Sequence, residues 1–381
     1  MRTASSAIRS MPRSGIREIM DVAMAMPDCI RLEVGEPNFA TAPHIIEAAH
    51  HAALEGHTRY TDNSGIFELR AAIAEQAEES TGREVLPEQI IVTSGAMGAL
   101  FSTLTCLLDP GDEVIILNPS WPNYQMQLQL LGAVARVVET SPENAYLPTI
   151  QQLEEATNAA TKALLINTPC NPTGAMFSGD LLNEITQFAR HADLFLIADE
   201  VYSRITFEEP QISTACYDTD GRVVSINSFS KTYAMTGWRV GYAIAPAILA
   251  PLIRKCQEPT VGCVNSPAQY ASLAALTGPQ HLVEEMRSAY LNRRDIALEM
   301  LSQANIPVCT PGGAFYLWVD ISQSGRTAKD FSLDLIHNHQ VAIVPGTTFG
   351  AENSDRVRIS LASEVSDLQE GLRRLISELK R

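Results

Sequence analysis

The stretch Ser228-Phe-Ser-Lys231-Thr-Tyr-Ala-Met-Thr-Gly-Trp-Arg239 decides how the chain is interpreted. It sets a lysine among small and apolar residues, with a serine three positions before it and an arginine eight positions after it. In a partly buried pocket the ammonium group of Lys231 is costly to keep charged, so its pKa falls and the neutral amine becomes a nucleophile. Ser228 and Arg239 supply a hydroxyl group and a permanent cation, which suit a phosphate monoester. An amine that condenses with an aldehyde beside a phosphate site indicates pyridoxal phosphate held as a Schiff base.

Length and composition predict a globular protein with two closely packed domains. The chain has 381 residues, of which 45% are hydrophobic and 19% are charged. The formal net charge of -16 argues against nucleic acid or an anionic membrane as a partner, because both attract basic surfaces. The seven dispersed cysteines indicate reduced thiols, and no apolar run reaches the ~18–20 residues that span a bilayer. The first residues lack the apolar core of a signal peptide, so we expect a cytoplasmic protein.

From Glu88 onward, short apolar runs alternate with helical stretches. The runs are 89–93, 113–117, 163–167, 194–198 and 223–226. They lack the apolar–polar alternation of half-exposed strands, as expected where helices cover both faces of a sheet. This alternation of strands and helices predicts an α/β fold with a doubly wound, mostly parallel sheet. Ligands of such a sheet bind at the carboxyl ends of its strands.

The two ends of the chain predict a second, smaller α+β domain. The beginning reads as an arm, a short helix at 15–26 and an extended segment at 30–34. After Gln269 the chain is helical, and further strands are expected at 314–319, 341–344 and 357–361. We therefore predict a large domain over 45–282. The small domain combines 1–44 with 283–381.

Polar motifs follow several of the apolar runs. Asp199-Glu-Val-Tyr202 comes directly after the run 194–198. Its acids fit a helix N-cap, but an ionised Asp199 would also keep the ring nitrogen of the cofactor protonated. The phenol of Tyr202 could then donate a hydrogen bond to the ring oxygen. Residues 167–174 are typical of a turn, and the amide of Asn171 within them could bond the same oxygen.

Three further motifs complete the set of candidates. Ser94-Gly-Ala-Met-Gly98 opens a helix, whose free N–H groups bind phosphate. Trp121 is either a core residue or an aromatic side chain that stacks on a flat ring. Arg356 and Arg358 share one face of a strand in the smaller unit, so one of them could clamp a carboxylate with two hydrogen bonds. A surface salt bridge is the alternative for either arginine.

In this order, the motifs resemble the class I aminotransferases of the aspartate aminotransferase family, which belong to the fold type I pyridoxal-phosphate enzymes. The resemblance runs from about residue 14 to the end of the chain. It rests on Tyr60, Ser-Gly-Ala-Met at 94–97, Pro-Ser-Trp-Pro-Asn at 119–123, Asn-Pro-Thr-Gly at 171–174, Asp-Glu-Val-Tyr at 199–202, Ser-Phe-Ser-Lys at 228–231, Gly-Trp-Arg at 237–239 and Arg-Ile-Ser at 358–360.

The resemblance implies an aminotransferase that uses pyridoxal 5'-phosphate and no metal. It would move an amino group from an L-amino acid to a 2-oxo acid in ping-pong half-reactions. Lys231 would hold the cofactor and shuttle the proton, while Asp199 pairs with the ring nitrogen. Tyr202 and Asn171 would bind the ring oxygen, and Trp121 would stack on the ring.

The resemblance also assigns the phosphate and carboxylate sites. The residues implied at the phosphate and next to it are Gly95, Ala96, Met97, Ser228 and Arg239. The family members are homodimers in which a tyrosine of the partner subunit completes this site, and Tyr60 matches the motif of that tyrosine. Arg358 would hold the substrate α-carboxylate, together with Asn171 and the backbone at Gly35. The small domain would then close on the bound acid.

Two positions depart from the pattern of family members that select aspartate. Met97 stands where such members often carry a lysine, and the segment 260–267 lacks the arginine that others contribute from the partner subunit. Because a carboxylate without a cation is costly in a closed site, we expect a neutral, apolar or aromatic amino donor rather than aspartate. Glutamate stays compatible if an N-terminal arginine, Arg13 or Arg17, folds over the site.

Two other classes of function share these motifs. A lyase, a decarboxylase or a ring-forming synthase of the same fold would use nearly the same cofactor contacts. A non-enzymatic alternative is the sensor half of a transcription regulator. That class carries an N-terminal DNA-binding domain. The fold itself needs an N-terminal arm, and the ~40 residues before Phe39 are too few to form both the arm and such a domain. The acidic balance also disfavours it.

Overall fold

The computed structural model describes residues 3–381, within which twelve strands and fourteen α-helices are found. The strands are β1 (Ile30–Arg31), β2 (Ile90–Thr93), β3 (Glu113–Asn118), β4 (Val134–Glu139), β5 (Thr161–Asn167), β6 (Phe195–Asp199), β7 (Val223–Ser228), β8 (Gly241–Ile244), β9 (Tyr316–Asp320), β10 (Val341–Ala342), β11 (Val344–Pro345) and β12 (Arg356–Ser360). The helices are α1 (Ser6–Ser10), α2 (Gly15–Met24), α3 (Pro43–Leu54), α4 (Phe67–Thr81), α5 (Gly95–Leu107), α6 (Asn123–Leu131), α7 (Ile150–Ala156), α8 (Gly179–His191), α9 (Phe229–Thr232), α10 (Ala250–Thr260), α11 (Ser266–Thr277), α12 (His281–Gln303), α13 (Ala328–His339) and α14 (Val365–Leu379).

Seven strands form the larger sheet in the order β2-β8-β7-β6-β5-β3-β4. The neighbouring pairs from β7 to β4 are parallel, whereas β8 runs antiparallel to both of its neighbours. Helices pack on both faces: on β5, Leu164 contacts the cluster that contains α8, and Leu165 contacts the cluster that contains α5. This arrangement buries successive side chains of one strand and explains why its sequence does not alternate. The predicted doubly wound, mostly parallel sheet is confirmed.

The smaller sheet is antiparallel in the order β11-β12-β9 and pairs Arg358 with Trp318. The helices α12, α13 and α14 bury apolar side chains against it in one shared core. The prediction of a single strand at 341–344 is wrong. Residues 341–342 pair in parallel with β1, while 344–345 join β12, because the chain changes sheets between them.

The N-terminal segment belongs spatially with the C-terminal part, because β1 pairs with β10 and α2 contacts both β10 and β11. This contact places α2 next to the smaller sheet. The domain limits, 45–282 and 1–44 with 283–381, stay a prediction. No helix within residues 3–381 combines the length and the apolar character needed to cross a bilayer.

Candidate active site

A cavity of about 360 Å³ lies where the carboxyl ends of the parallel strands meet the smaller sheet. The strands β5, β6 and β7 end in Asn167, Asp199 and Ser228, which all line it. The sequence-predicted residues that the structure brings together there are Gly35, Ala96, Met97, Trp121, Asn171, Asp199, Tyr202, Ser228, Lys231, Arg239 and Arg358. Side chains separated by hundreds of residues in sequence therefore face one space.

Lys231 is positioned by the short helix α9, directly after β7. Ser228 caps this helix, because its Oγ accepts a hydrogen bond from Ser230 N at 3.1 Å. Lys231 Nζ donates a hydrogen bond to the backbone oxygen of Gly35 at 2.6 Å. Burial lowers the pKa of Lys231 to about 8, and the positive charges of Arg358 and Arg239 act in the same direction. A substantial neutral fraction is therefore present slightly above neutral pH.

Asp199 is 3% exposed and accepts a hydrogen bond at Oδ2 from the phenol of Tyr124 at 2.7 Å. Burial raises the pKa of Asp199 to about 6, although the hydrogen bonds and the charge of Lys231 oppose this rise. Asp199 is therefore mostly ionised at pH 7. Burial and the carboxylate both raise the pKa of Tyr124, which keeps this phenol protonated as a donor.

Arg358 is a buried cation with a free hydrogen-bonding edge. It is 1% exposed, and its guanidinium group donates to Asn171 Oδ1 at 2.9 Å and to Glu33 O at 2.7 Å. Its Nε has no hydrogen-bond partner within residues 3–381. The rings of Tyr316 and Phe349 flank it at 4.3 and 5.0 Å from Cζ. A buried arginine with an unused donor is suited to a bound carboxylate.

The two predicted arginines of β12 differ in their surroundings. The alternative of a salt bridge is wrong for Arg358, because no carboxylate of residues 3–381 lies within ion-pair distance of it. The alternative holds for Arg356, whose Nη1 lies 2.5 Å from Asp320 Oδ2 and 3.1 Å from Asp355 Oδ2. Only Arg358 lines the cavity.

Hydrogen bonds connect the residues around Tyr202 and Asn171. The hydroxyl groups of Tyr202 and Tyr316 lie 2.8 Å apart in a hydrogen bond, and burial raises the pKa of Tyr202. Asn167 accepts from Asn171 N at 2.8 Å and donates to Asp199 O at 2.9 Å. These bonds fix the turns after β5 and β6 relative to each other, so the site is rigid on this side.

The residues predicted for a phosphate form a narrow cradle. Gly95 starts α5 with φ +70°, and a Cβ there would lie 2.4 Å from Nη2 of Arg239. Arg239 has φ +56° and donates from Nη1 to Thr236 O at 3.0 Å. The first N–H groups of α5, including that of Ala96, have no partner inside the helix. Glycine is thus required for the close approach, and the donors fit a phosphate group.

The remaining predicted residues are placed as follows. Trp121 packs edge-on against Tyr124, with ring centroids 5.6 Å apart, and lines the cavity. Met97 Sδ accepts a hydrogen bond from Asn123 Nδ2 at 3.4 Å. Tyr60 is 96% exposed and does not line the cavity of its own chain. Within residues 3–381, no cluster of three His, Cys, Asp or Glu side chains is placed to hold a metal ion.

Two tyrosines of the site were missed by the sequence interpretation. Tyr124 directly follows the motif Pro-Ser-Trp-Pro-Asn at 119–123, so its place shortly after a strand end was an available signal. Tyr316 gave no signal, because it belongs to β9 in the other sheet and reaches the site only through long-range packing. Tyr124 forms a hydrogen bond with Asp199, and Tyr316 forms one with Tyr202, so each missed tyrosine supports a predicted site residue.

Comparison with known proteins agrees with this fold and site. The family model described as "Aminotransferase class I and II" matches residues 27–375. The chain is 37% identical over 373 residues to an aspartate aminotransferase of Pyrococcus abyssi, with 96% of each chain covered. It is 35% identical over 382 residues to the aromatic-amino-acid aminotransferase 2 of Thermococcus litoralis, covering 99% of this chain and 98% of that protein.

Solved structures give the same result. The aspartate aminotransferase from Thermus thermophilus with maleate has a TM-score of 0.95 and 34% identity, covering 99% of this chain and 100% of that one. The chain therefore belongs to the class I and II aminotransferase family. It is an enzyme of the aminotransferase class.

Proposed function

We propose that this enzyme uses pyridoxal 5'-phosphate to move an amino group from a neutral, apolar or aromatic L-amino acid to a 2-oxo acid, in two half-reactions at one site. The observation that carries the proposal is the convergence of Lys231, Asp199 and Arg358 on one cavity. When bound, the cofactor supplies an aldehyde that takes the amino group and a ring that accepts electrons. The cradle at Gly95 and Arg239 supports its phosphate.

The residues around the ring would hold it in one orientation. The carboxylate of Asp199 accepts a hydrogen bond from Tyr124 and would pair with a protonated ring nitrogen. Asn171 accepts from Arg358 through Oδ1, so its Nδ2 remains to donate to the ring oxygen, next to the phenol of Tyr202. Trp121 would stack on the ring. The backbone at Gly95, Ala96 and Met97, together with Ser228 and Arg239, would hold the phosphate.

Lys231 then acts as the proton carrier. A neutral amine is needed to accept the proton from the substrate Cα, and burial has already lowered the pKa of Lys231 to about 8. Once protonated at Nζ, the same amine would hold this proton inside the cavity until it is returned. Asp199 would keep a negative charge beside the protonated ring nitrogen, because its pKa of about 6 leaves the carboxylate ionised at neutral pH.

Arg358 would bind the α-carboxylate of the substrate with its free edge, helped by Asn171 and the backbone at Gly35. Its burial strengthens this contact, because water competes little for the guanidinium group. The side chain of the substrate would meet an apolar wall. That wall is formed by Ile16, Met20, Val34, Met97 and Trp121. It supports a neutral, apolar or aromatic donor.

The proposal includes a homodimer with shared active sites. Tyr60 is almost fully exposed and does not line the cavity of its own chain, so we infer that it contributes to the phosphate site of a neighbouring subunit. The exposed apolar side chains of Leu54, Phe67 and Val261 also favour contact with another subunit. Cytoplasmic location stays a prediction.

Product analysis tests the proposed function. Purified enzyme with pyridoxal phosphate is incubated with one apolar or aromatic amino acid and one 2-oxo acid, and all products are quantified. We expect equal amounts of the new amino acid and the new 2-oxo acid. Release of ammonia, sulfide or carbon dioxide in place of the new amino acid would show a lyase or a decarboxylase and would overturn the proposal.

A further inference from the structure

Tyr316 connects the two sheets inside the active-site cavity. It belongs to β9 of the smaller sheet, is 1% exposed and lines the cavity. Its hydroxyl oxygen lies 2.8 Å from that of Tyr202, which follows β6 of the larger sheet. Within residues 3–381, each of the two hydroxyl groups forms this one hydrogen bond. The pair is therefore a buried hydrogen bond between the two sheets, and its role in the reaction is to be explained.

Tyr316 also contacts the groups that are proposed to hold the substrate α-carboxylate. The guanidinium carbon of Arg358 lies over its ring, 4.3 Å from the centroid. A Cβ at Gly35 would lie 3.1 Å from its hydroxyl oxygen, so this oxygen packs closely against the backbone of Gly35. The side chain of Tyr316 is thus held between the carboxylate site and Tyr202.

A phenol has one proton, and this limits what the pair can do. In the hydrogen bond between Tyr202 and Tyr316, either hydroxyl group can be the donor. If Tyr202 donates to Tyr316, it has no proton left for the ring oxygen of the cofactor. If Tyr316 donates, Tyr202 accepts at its oxygen and keeps its own proton for the cofactor. Tyr202 can therefore act as proposed only when Tyr316 is the donor.

The surroundings of Tyr316 favour this direction. Burial raises the pKa of both phenols, and that of Tyr202 lies well above its usual value. At Tyr316 the positive charge of Arg358, which lies over the ring, is the largest effect that opposes the rise in pKa. The more acidic of two phenols is the better donor in a hydrogen bond between them.

We propose that Tyr316 is a positioning residue, which donates a hydrogen bond to Tyr202 and so directs the proton of Tyr202 to the ring oxygen of the cofactor. The inference rests on the proposed function for the presence of that cofactor. Hydrogen bonds in a chain strengthen one another, so Tyr202 becomes a better donor. Because Tyr316 contacts Arg358, it also connects the α-carboxylate site with the cofactor oxygen.

The test measures a property of the bound cofactor in addition to activity. The visible absorbance of the holoenzyme changes with pH when the nitrogen that joins Lys231 to the cofactor gains or loses its proton. A good donor at the ring oxygen stabilises the negative charge there, which is largest when this nitrogen is unprotonated. Tyr316→Phe keeps the ring and removes the hydroxyl group. We therefore expect the pH midpoint of the absorbance change to rise by about 0.3–1 unit.

Two further variants separate positioning from packing. Tyr290→Phe is the matched control, because Tyr290 is buried in the same core and does not line the cavity. Its hydroxyl group has no hydrogen-bond partner within residues 3–381, so the midpoint of this variant should match wild type. Tyr202→Phe should raise the midpoint at least as far as Tyr316→Phe does. Adding Tyr316→Phe to Tyr202→Phe should cause no further rise, because Tyr316 acts through Tyr202.

The possible results separate this inference from the proposed function. An unchanged midpoint in Tyr316→Phe, an equal rise in Tyr290→Phe, or a rise that adds to that of Tyr202→Phe would each overturn the role of Tyr316. If the wild-type holoenzyme transfers no amino group but the expected midpoints are found, the proposed function fails and the role of Tyr316 stands. If amino transfer is found and the midpoint does not move, the function stands and the role fails. A chain that binds no pyridoxal phosphate would overturn both.

Discussion

The two ends of the active-site cavity differ in burial and in how their side chains are held. At the cofactor end, Asp199 and Arg358 are almost fully buried and bonded to residues from other elements. At the side-chain end, Met97 is half-buried and Arg17 is exposed on an N-terminal helix. A rigid, buried set of donors and acceptors fixes the chemistry. Exposed side chains with few contacts can be substituted, so that the substrate preference of the enzyme changes while the reaction stays the same.

The largest effect is expected at the cofactor end, from Lys231→Ala. Loss of the amine removes the proton carrier, so the transfer rate should fall by about 10⁴-fold. The bond between protein and cofactor that borohydride can reduce should also disappear. Lys231→Arg serves as the control, because it keeps a positive charge that cannot be lost near neutral pH. A comparable loss in both variants is expected; substantial activity in Lys231→Arg would show that the neutral amine is not required.

Asp199→Asn should lower kcat by about 10²–10³-fold, because the ring nitrogen loses its ionised partner. Cofactor should remain bound through the phosphate cradle. The quantities to measure are single-turnover rates and bound cofactor per subunit. A kcat within a few-fold of wild type would show that Asp199 only caps the turn after β6.

Arg358→Lys should raise KM for the amino donor by about 10–100-fold, since the charge is kept but the paired hydrogen bonds are lost. Cofactor affinity should not change. Arg356→Lys is the matched control on the same strand, and its KM should stay within about 3-fold of wild type because Arg356 is bonded to acids outside the cavity. A fall in cofactor affinity instead would mean that Arg358 and Arg239 have exchanged roles.

A pH effect should distinguish Tyr124→Phe from wild type. When the cofactor binds to the cofactor-free enzyme, the ionised Asp199 would attract its protonated pyridine ring. This attraction is lost as the pH falls through the Asp199 pKa of about 6. The bond from Tyr124 favours the ionised form, so its removal should raise that pKa and move the loss of cofactor affinity to higher pH. Comparing the two proteins cancels the titration of the cofactor phosphate. Superimposable affinity profiles would contradict the assigned bond.

The smallest effect is expected at the side-chain end. Met97→Lys places a second cation in the cavity and should raise kcat/KM for dicarboxylic acceptors by about 3–10-fold, with little change for pyruvate. The gain is modest because this end of the site is open to solvent, which screens the added charge. A gain with both acceptors would point to a change in closure of the site and not to recognition of charge.

Much of the cofactor end could be predicted from the sequence because each motif directly follows a buried apolar strand. The parallel strands β3, β5, β6 and β7 were predicted within a few residues. The edge strand β4 was missed, since most of its side chains are exposed and its sequence is not apolar enough. The strand β8 was missed as well. It begins two residues after Arg239, the end of the lysine stretch, and runs antiparallel to β7.

The side-chain end could be predicted only as a choice among alternatives. Whether Arg13 or Arg17 reaches the cavity depends on how α2 and the residues just before it pack on the rest of the chain, and the sequence leaves both open. The answer comes from the ion pair of Arg13 with Asp21 and from the packing of α2 against β10 and β11. Long-range packing of this kind has no local signal in the sequence.

The most direct test of the central claim is a single-turnover absorbance measurement on the holoenzyme. Stoichiometric enzyme is mixed with an apolar or aromatic amino acid in the absence of any acceptor, and a 2-oxo acid is added afterwards. We predict that the cofactor spectrum changes fully to that of its amine form and that the 2-oxo acid restores the original spectrum. A spectrum that returns without an acceptor while ammonia accumulates would contradict the account.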